Sequence, residues 1–223
     1  MKKCKAYFCF NYFFMRNLLL ILVASSAFFT SCQNSAKGKT FCDTTCSNDS
    51  IKFTGNKDQK LSISIKSCKP EAIIWENKNN KRIIEFNDYI NKDVKMNPSF
   101  VNCAFGDSST WLSFNDCITG RGYLLNLPYS KNAAIGTYKA ALNSFDKKFS
   151  VDPDLRAYTD GGNIYVVNVT NGNEAQMTFR EAYQMDYDDI HKSIDSIHVA
   201  KDRIYVKLIK DGAEVPLEKP VSL

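Results

Sequence analysis

The chain is poor in the residues that most enzymes need. It has only two histidines, His191 and His198, in 223 residues. That scarcity excludes His-rich zinc sites and leaves little from which to build a Ser–His–Asp arrangement. No Gly-x-Ser-x-Gly, His-Glu-x-x-His, phosphate-loop or dinucleotide fingerprint occurs. Gly120-Arg-Gly122 lacks the third glycine and the following helix that phosphate binding would need. Excess charge is missing too. Lys and Arg number 29 against 24 Asp and Glu, and four of the bases (Lys2, Lys3, Lys5, Arg16) lie in residues 1–31, which hold no acid. Taking those four from 29 leaves 25 bases against 24 acids in the remainder. A near-neutral body with no basic cluster longer than Lys147-Lys148 argues against nucleic acid as a partner. The longest apolar run, Leu18–Phe29, is interrupted by Ser25 and Ser26 and falls short of the ~20 residues a membrane span requires.

That run has another use. Arg16 precedes it, Lys2, Lys3 and Lys5 stand upstream, and small residues follow it, which together make a secretory signal. Its end, Phe29-Thr30-Ser31-Cys32, resembles a bacterial lipoprotein lipobox in a loose form, with Phe29 where Leu is usual. The resemblance implies cleavage before Cys32 and diacylglycerol on its thiol. Several acyl chains, each burying ~0.8 kcal/mol per CH₂, would hold the protein on a membrane without a span. Gln33 after the cysteine, where Asp would resemble an inner-membrane retention signal, implies the outer membrane and a body facing the periplasm. Met15 begins a complete short signal and is an alternative start.

Residues 32–60 are polar and read as a lipidated cysteine followed by a tether, ordering only near Ile51-Lys52-Phe53. Residues 61–223 are long enough for a single domain with its own core. Beyond the signal and Cys32 remain Cys42, Cys46, Cys68, Cys103 and Cys117. An oxidising compartment permits disulfides among them, and an odd number leaves at least one thiol free or paired between chains. Cys42-Asp-Thr-Thr-Cys46 is a candidate local bridge, and not the Cys-x-x-Cys redox spacing. Metal ligation would need further donors nearby.

The body reads as repeated hairpins. Asn163-Ile-Tyr-Val-Val-Asn-Val-Thr-Asn-Gly-Asn-Glu-Ala175 aligns without gaps with Arg203-Ile-Tyr-Val-Lys-Leu-Ile-Lys-Asp-Gly-Ala-Glu-Val215. Asn-Gly and Asp-Gly are tight hairpin turns. Two earlier strand–turn–strand stretches, around Ile73–Phe86 and Trp111–Leu127, extend the series. Asn80, Gly120, Gly172 and Gly212 then end four turns, each expected in the left-handed region. A further strand precedes each central one, at Leu61–Ile65, Val101–Phe105, Leu155–Tyr158 and Ile194–Val199. The fold class expected is all-β, of repeated antiparallel hairpins. The last two units are similar to β-propeller blades, which implies a four-bladed ring; a β-sandwich satisfies the same pattern. Ala134, Tyr138, Ala141, Leu142 and Phe145 recur at helical spacing after Ser130, which predicts one inserted short helix near 130–145. Trp75 and Trp111, inside apolar strands, are expected in the core.

Candidate chemistry is sparse. Asp186-Tyr-Asp-Asp-Ile-His191 offers Asp188, Asp189 and His191 as weak candidates for a divalent cation. Thr178-x-x-Glu181 resembles a capping box, which makes the same stretch a short helix and polar loop. The expectation is a lipid-anchored, non-catalytic binding or scaffold module of the bacterial envelope, with no cofactor. Its partners would be the membrane, through the anchor, and an envelope protein or a glycan. The alternative is an envelope hydrolase or glycan-processing enzyme with paired carboxylates, for which Asp116, Asp160 and Asp188 are the candidates. A thiol role for Cys42 and Cys46 is a third reading.

Overall fold

Lys60-Leu-Ser-Ile-Ser-Ile-Lys66 alternates apolar and polar residues, and it folds as a strand with one buried face: Leu61, Ile63 and Ile65 are buried, Lys60 and Lys66 exposed. The same logic builds every sheet. The computed structural model describes residues 41–42, 49–90, 93–178 and 193–223, and the fold is all-β.

Sixteen strands among the described residues form four sheets of four. The first is a meander of β1 (Ile51–Thr54), β2 (Lys60–Lys66), β3 (Lys69–Glu76) and β4 (Lys81–Glu85). The second repeats the meander with β5 (Val101–Phe105), β6 (Ser109–Asn115), β7 (Gly122–Pro128) and β8 (Gly136–Tyr138). The third joins β9 (Ala141–Leu142) to β11 (Leu155–Asp160), β12 (Asn163–Asn168) and β13 (Glu174–Thr178). The fourth has β14 (Ile194–Val199), β15 (Arg203–Lys210) and β16 (Ala213–Pro220), with β10 (Phe149–Val151) added at its edge. Only the β10–β14 pairing is parallel among them.

Each hairpin unit read from the sequence is thus one sheet. Gly120, Gly172 and Gly212 sit at φ of 74°, 77° and 78°, as their turns require. Asn80 does not adopt positive φ. Its turn is held instead by Asn77, whose Oδ1 accepts from the backbone N–H groups of Asn79 (3.1 Å) and Asn80 (2.8 Å).

Packing pairs the sheets. The first and second share a core of Ile63, Ile73, Trp75, Leu112, Phe114 and Leu125 with their neighbours. Arg82 lies over the Trp75 ring, 5.1 Å from its centroid, and donates to the carbonyls of Pro128, Ser130 and Ala133, closing this pair at one end. The third and fourth sheets share a second core, in which the aligned repeats meet: Ile164 and Val166 of one face Ile204 and Val206 of the other. Each pair is sandwich-like. The two inner sheets are covered on both sides, and every residue of β6 is buried. The outer two alternate, as β2 and β15 show, so among the described residues their far faces stay uncovered. A closed propeller would cover every blade on both sides; two stacked sandwiches do not.

Two expectations are corrected. Residues 130–145 form no helix. Gly136–Tyr138 and Ala141–Leu142 are short edge strands, with Tyr138 opposite Leu124 and Leu142 opposite Ala157. The helical spacing arose from two strands separated by a bend, and cross-strand partners decided the outcome. The domain also begins before residue 61. Ile51–Thr54 is a full member of the first sheet, and Thr40–Leu223 forms one compact unit. Phe41 packs on Phe100 with centroids 5.0 Å apart, and Cys42 is disulfide-bonded to Cys117, 75 residues away. Among the described residues, no helix is long and apolar enough to cross a membrane.

Candidate functional site

The contact between the two sandwiches differs from their cores. Of the described residues, only Trp111, Leu124, Ala141 and Val167 form its buried apolar cluster. Ala104, Val169, Tyr138 and Tyr158 pack against it half-buried. On one side a ladder of rings runs from the second sheet into the third: Trp111, Tyr138, Tyr158, Tyr165, with successive centroids 6.4, 3.9 and 5.2 Å apart. Burial and the neighbouring Tyr138 push the Tyr158 hydroxyl well above its ordinary pKa, so Tyr158 stays neutral.

On the other side the sheets part into a cleft of about 430 Å³. The size suits a small molecule. Its walls are Ala104, Ser113 and Leu124 from the second sheet, and Leu142, Leu155 and Arg156 from the third sheet and its approach. Strand alternation puts Arg156 there. Leu155 and Ala157 belong to the core shared with the fourth sheet, so Arg156 between them points the other way, toward the second sheet. Its cross-strand partner Val167 lies in the interface cluster.

Arg156 is 8% exposed. Its Nη1 donates to the carbonyls of Pro153 (2.9 Å) and Leu155 (2.7 Å). Its Nε has no hydrogen-bond partner. Burial lowers its pKa, against the pull of Cys103 and Asp154, yet a guanidinium stays charged in proteins. Neither neighbour neutralises it. Burial pushes the Cys103 thiol up to about 12, which keeps it protonated at neutral pH. Asp154 is exposed and ion-paired to Lys201 at 2.8 Å, which holds its carboxyl below the usual range. Asp152, half-buried, is the one acid among the lining residues.

The walls are fixed. Asn143 donates to Asn115 Oδ1 at 2.6 Å, and Asn115 donates to the Gly120 carbonyl at 3.0 Å. Gly122 allows the second sheet to approach the third, because a Cβ there would collide with the Ala141 carbonyl.

The residues singled out from sequence lie elsewhere. Asp116 is buried and accepts from the backbone N–H groups of Lys95, Ile118 and Thr119 and from the Thr119 hydroxyl at 2.6 Å. Its carboxylate is taken up by that turn and by the Lys95 backbone. Asp160 is exposed at the β11–β12 hairpin. No described cleft gathers the two. His198 sits on the uncovered face of the fourth sheet, with Nδ1 3.2 Å from Ser150 Oγ. Asp188, Asp189 and His191 lie outside the described residues, as do Cys32 and Cys46. Among the described residues, no three His, Cys, Asp or Glu side chains gather as a metal site. A local Cys42–Cys46 bridge is ruled out by the Cys42–Cys117 bond. Cys68 is also disulfide-bonded, and Cys103 is free. Trp75 and Trp111 are both buried.

Arg156 went unnoticed at the sequence level. Its signal was a lone charge inside Leu155-Arg-Ala-Tyr158, opposite the apolar Val166-Val167. A scan against protein-family models finds no match, and a search of curated proteins finds no relative.

Proposed function

We propose that this protein is a lipid-anchored component of the bacterial envelope that works by binding a small ligand in the cleft between its second and third sheets. The observation that carries the binding half is that cleft: a cavity with rigid walls, a buried charged group, and no nucleophile paired with a base among its lining residues. The address rests on the Leu18–Cys32 stretch, and the disulfides of Cys42, Cys68 and Cys117 support it, since such bonds persist outside the reducing cytoplasm. The anchor would hold the protein on the outer membrane, facing the periplasm, with the segment before Phe41 as spacer. The partner is then a soluble or glycan-derived molecule of the envelope space, and the uncovered outer faces remain for an envelope protein.

Mass spectrometry of the protein from membranes tests the address. A mature chain beginning at an acylated Cys32 supports it. An unmodified Cys32, or a retained Leu18–Phe29 leader, overturns it. Saturable binding of a small molecule, lost when Leu124→Trp fills the cleft, tests the binding role.

A further inference from the structure

We infer that the ligand of this cleft is an organic carboxylate and that Arg156 is the group that recognises it; the inference rests on the reading of the cleft as a binding site. Arg156 is a fixed positive charge, 92% buried, in a cavity large enough for a ligand. Burial of a guanidinium ordinarily requires a carboxylate or phosphate partner. Here none is supplied among the described residues. The thiol nearby is neutral, and the acid with the clearest pull, Asp154, is engaged by Lys201 outside the cavity. The two hydrogen bonds that Arg156 makes go to carbonyls through Nη1 alone. These fix the plane of the guanidinium; Nε is left without an acceptor but closed off from solvent, so a ligand in the cleft meets the guanidinium at its second terminal nitrogen, Nη2. A carboxylate oxygen presented from the cavity to that nitrogen is what the remaining donor matches.

The rest of the cavity selects the body of that ligand. Leu124, Leu142, Leu155 and Phe145 line it, and Ser113 and Asn143 supply polar atoms. An inorganic anion would leave the apolar wall unfilled. A small molecule with a carboxylate at one end and an apolar or ring body satisfies both. Buried Ser113 is among its polar neighbours, with an Oγ committed only to a long 3.5 Å contact with the Asn102 carbonyl. Asp152 is the exception among the lining groups: it disfavours a second negative charge, so a monocarboxylate fits better than a dicarboxylate.

The test uses the full chain in detergent, benzoate as the probe, and benzyl alcohol as its neutral counterpart, followed by calorimetry. Benzoate should bind saturably and at least tenfold more tightly than benzyl alcohol. Arg156→Gln should reduce benzoate to the level of the alcohol, while Arg156→Lys should retain part of the difference. The comparison of the two probes on the unaltered protein stands even if the variants fail to fold. Equal binding of benzoate and benzyl alcohol, blocked by Leu124→Trp, would overturn the carboxylate and leave the cleft a binding site. Sulfate binding as tightly as benzoate would overturn the organic body. Binding of neither organic probe would overturn the carboxylate and the binding role together.

Discussion

Replacing Arg156 with methionine should make the protein no less stable and abolish carboxylate binding. The magnitudes come from its surroundings. Taking a guanidinium out of water costs several kcal/mol in a folded protein. Its Nη1 hydrogen bonds to two carbonyls contribute about 1.5–3 kcal/mol each, as bonds made by a charged donor. The unpartnered Nε costs about 1–3 kcal/mol. Methionine has comparable length, no donors, and packs against Leu124 and Leu142. Of the carbonyls released, that of exposed Pro153 can take water, and that of buried Leu155 is at worst an orphan worth about 1–3 kcal/mol. The balance lies between neutral and about 2 kcal/mol of stabilisation, in line with other buried charges replaced by apolar groups. For a domain of this size a kcal/mol moves Tm by about 2–4 °C, so Tm should stay level or rise by up to about 8 °C. Thermal unfolding by circular dichroism reads it. A fall in Tm of more than about 4 °C would refute the reasoning, because it would make Arg156 a stabilising element of the interface.

Three further outcomes are expected. Removing the Cys42–Cys117 bond in the C42S/C117S double variant should cost about 2–4 kcal/mol. Its 75-residue separation gives about 4.5 kcal/mol as the chain-entropy ceiling, and the shift in urea midpoint measures the loss. Cys103, whose thiol is held up to about 12, should resist iodoacetamide at pH 8 in the native protein and react at once in denaturant; full alkylation of the native form would contradict its burial. The Asp154 carboxyl, depressed by Lys201, should titrate below the ordinary carboxylate range and return to it in Lys201→Met, as followed by carboxyl-carbon resonances. Because its folded value lies below the unfolded one, the pair supports the fold above the unfolded carboxylate pKa and is lost as pH falls through the folded value.

The architecture was more legible than the site. Turn dipeptides and period-2 alternation are local signals, so all four hairpin units were readable; that Ile164 and Val166 share a core with Ile204 and Val206 emerged only from the structure. Whether such units close or stack is decided by faces the alternation only hints at. β6 carries Trp111 on one face and Leu112 and Phe114 on the other and no charge on either, whereas β2 carries serines and lysines on one side, and that contrast separates an inner sheet from an outer one. The 130–145 stretch misled because short edge strands owe their conformation to partners elsewhere in the chain, here Leu124 and Ala157. The pairing of Cys42 with Cys117 is equally non-local. Arg156 was hidden for another reason: its meaning lies in what does not surround it. A charged residue in a strand ordinarily points to water, and only the packing of a second sheet over that face turns it into a buried cation with no acid bound to it among the described residues.

The most direct measurement is the ¹⁵N–¹H resonance of Arg156 Nε in the unaltered full chain, assigned by its loss in Arg156→Lys. Benzoate should shift it progressively to saturation, because a carboxylate held at the guanidinium changes the polarisation of the whole group, while benzyl alcohol leaves it in place. A resonance that stays fixed as benzoate binds would contradict the account.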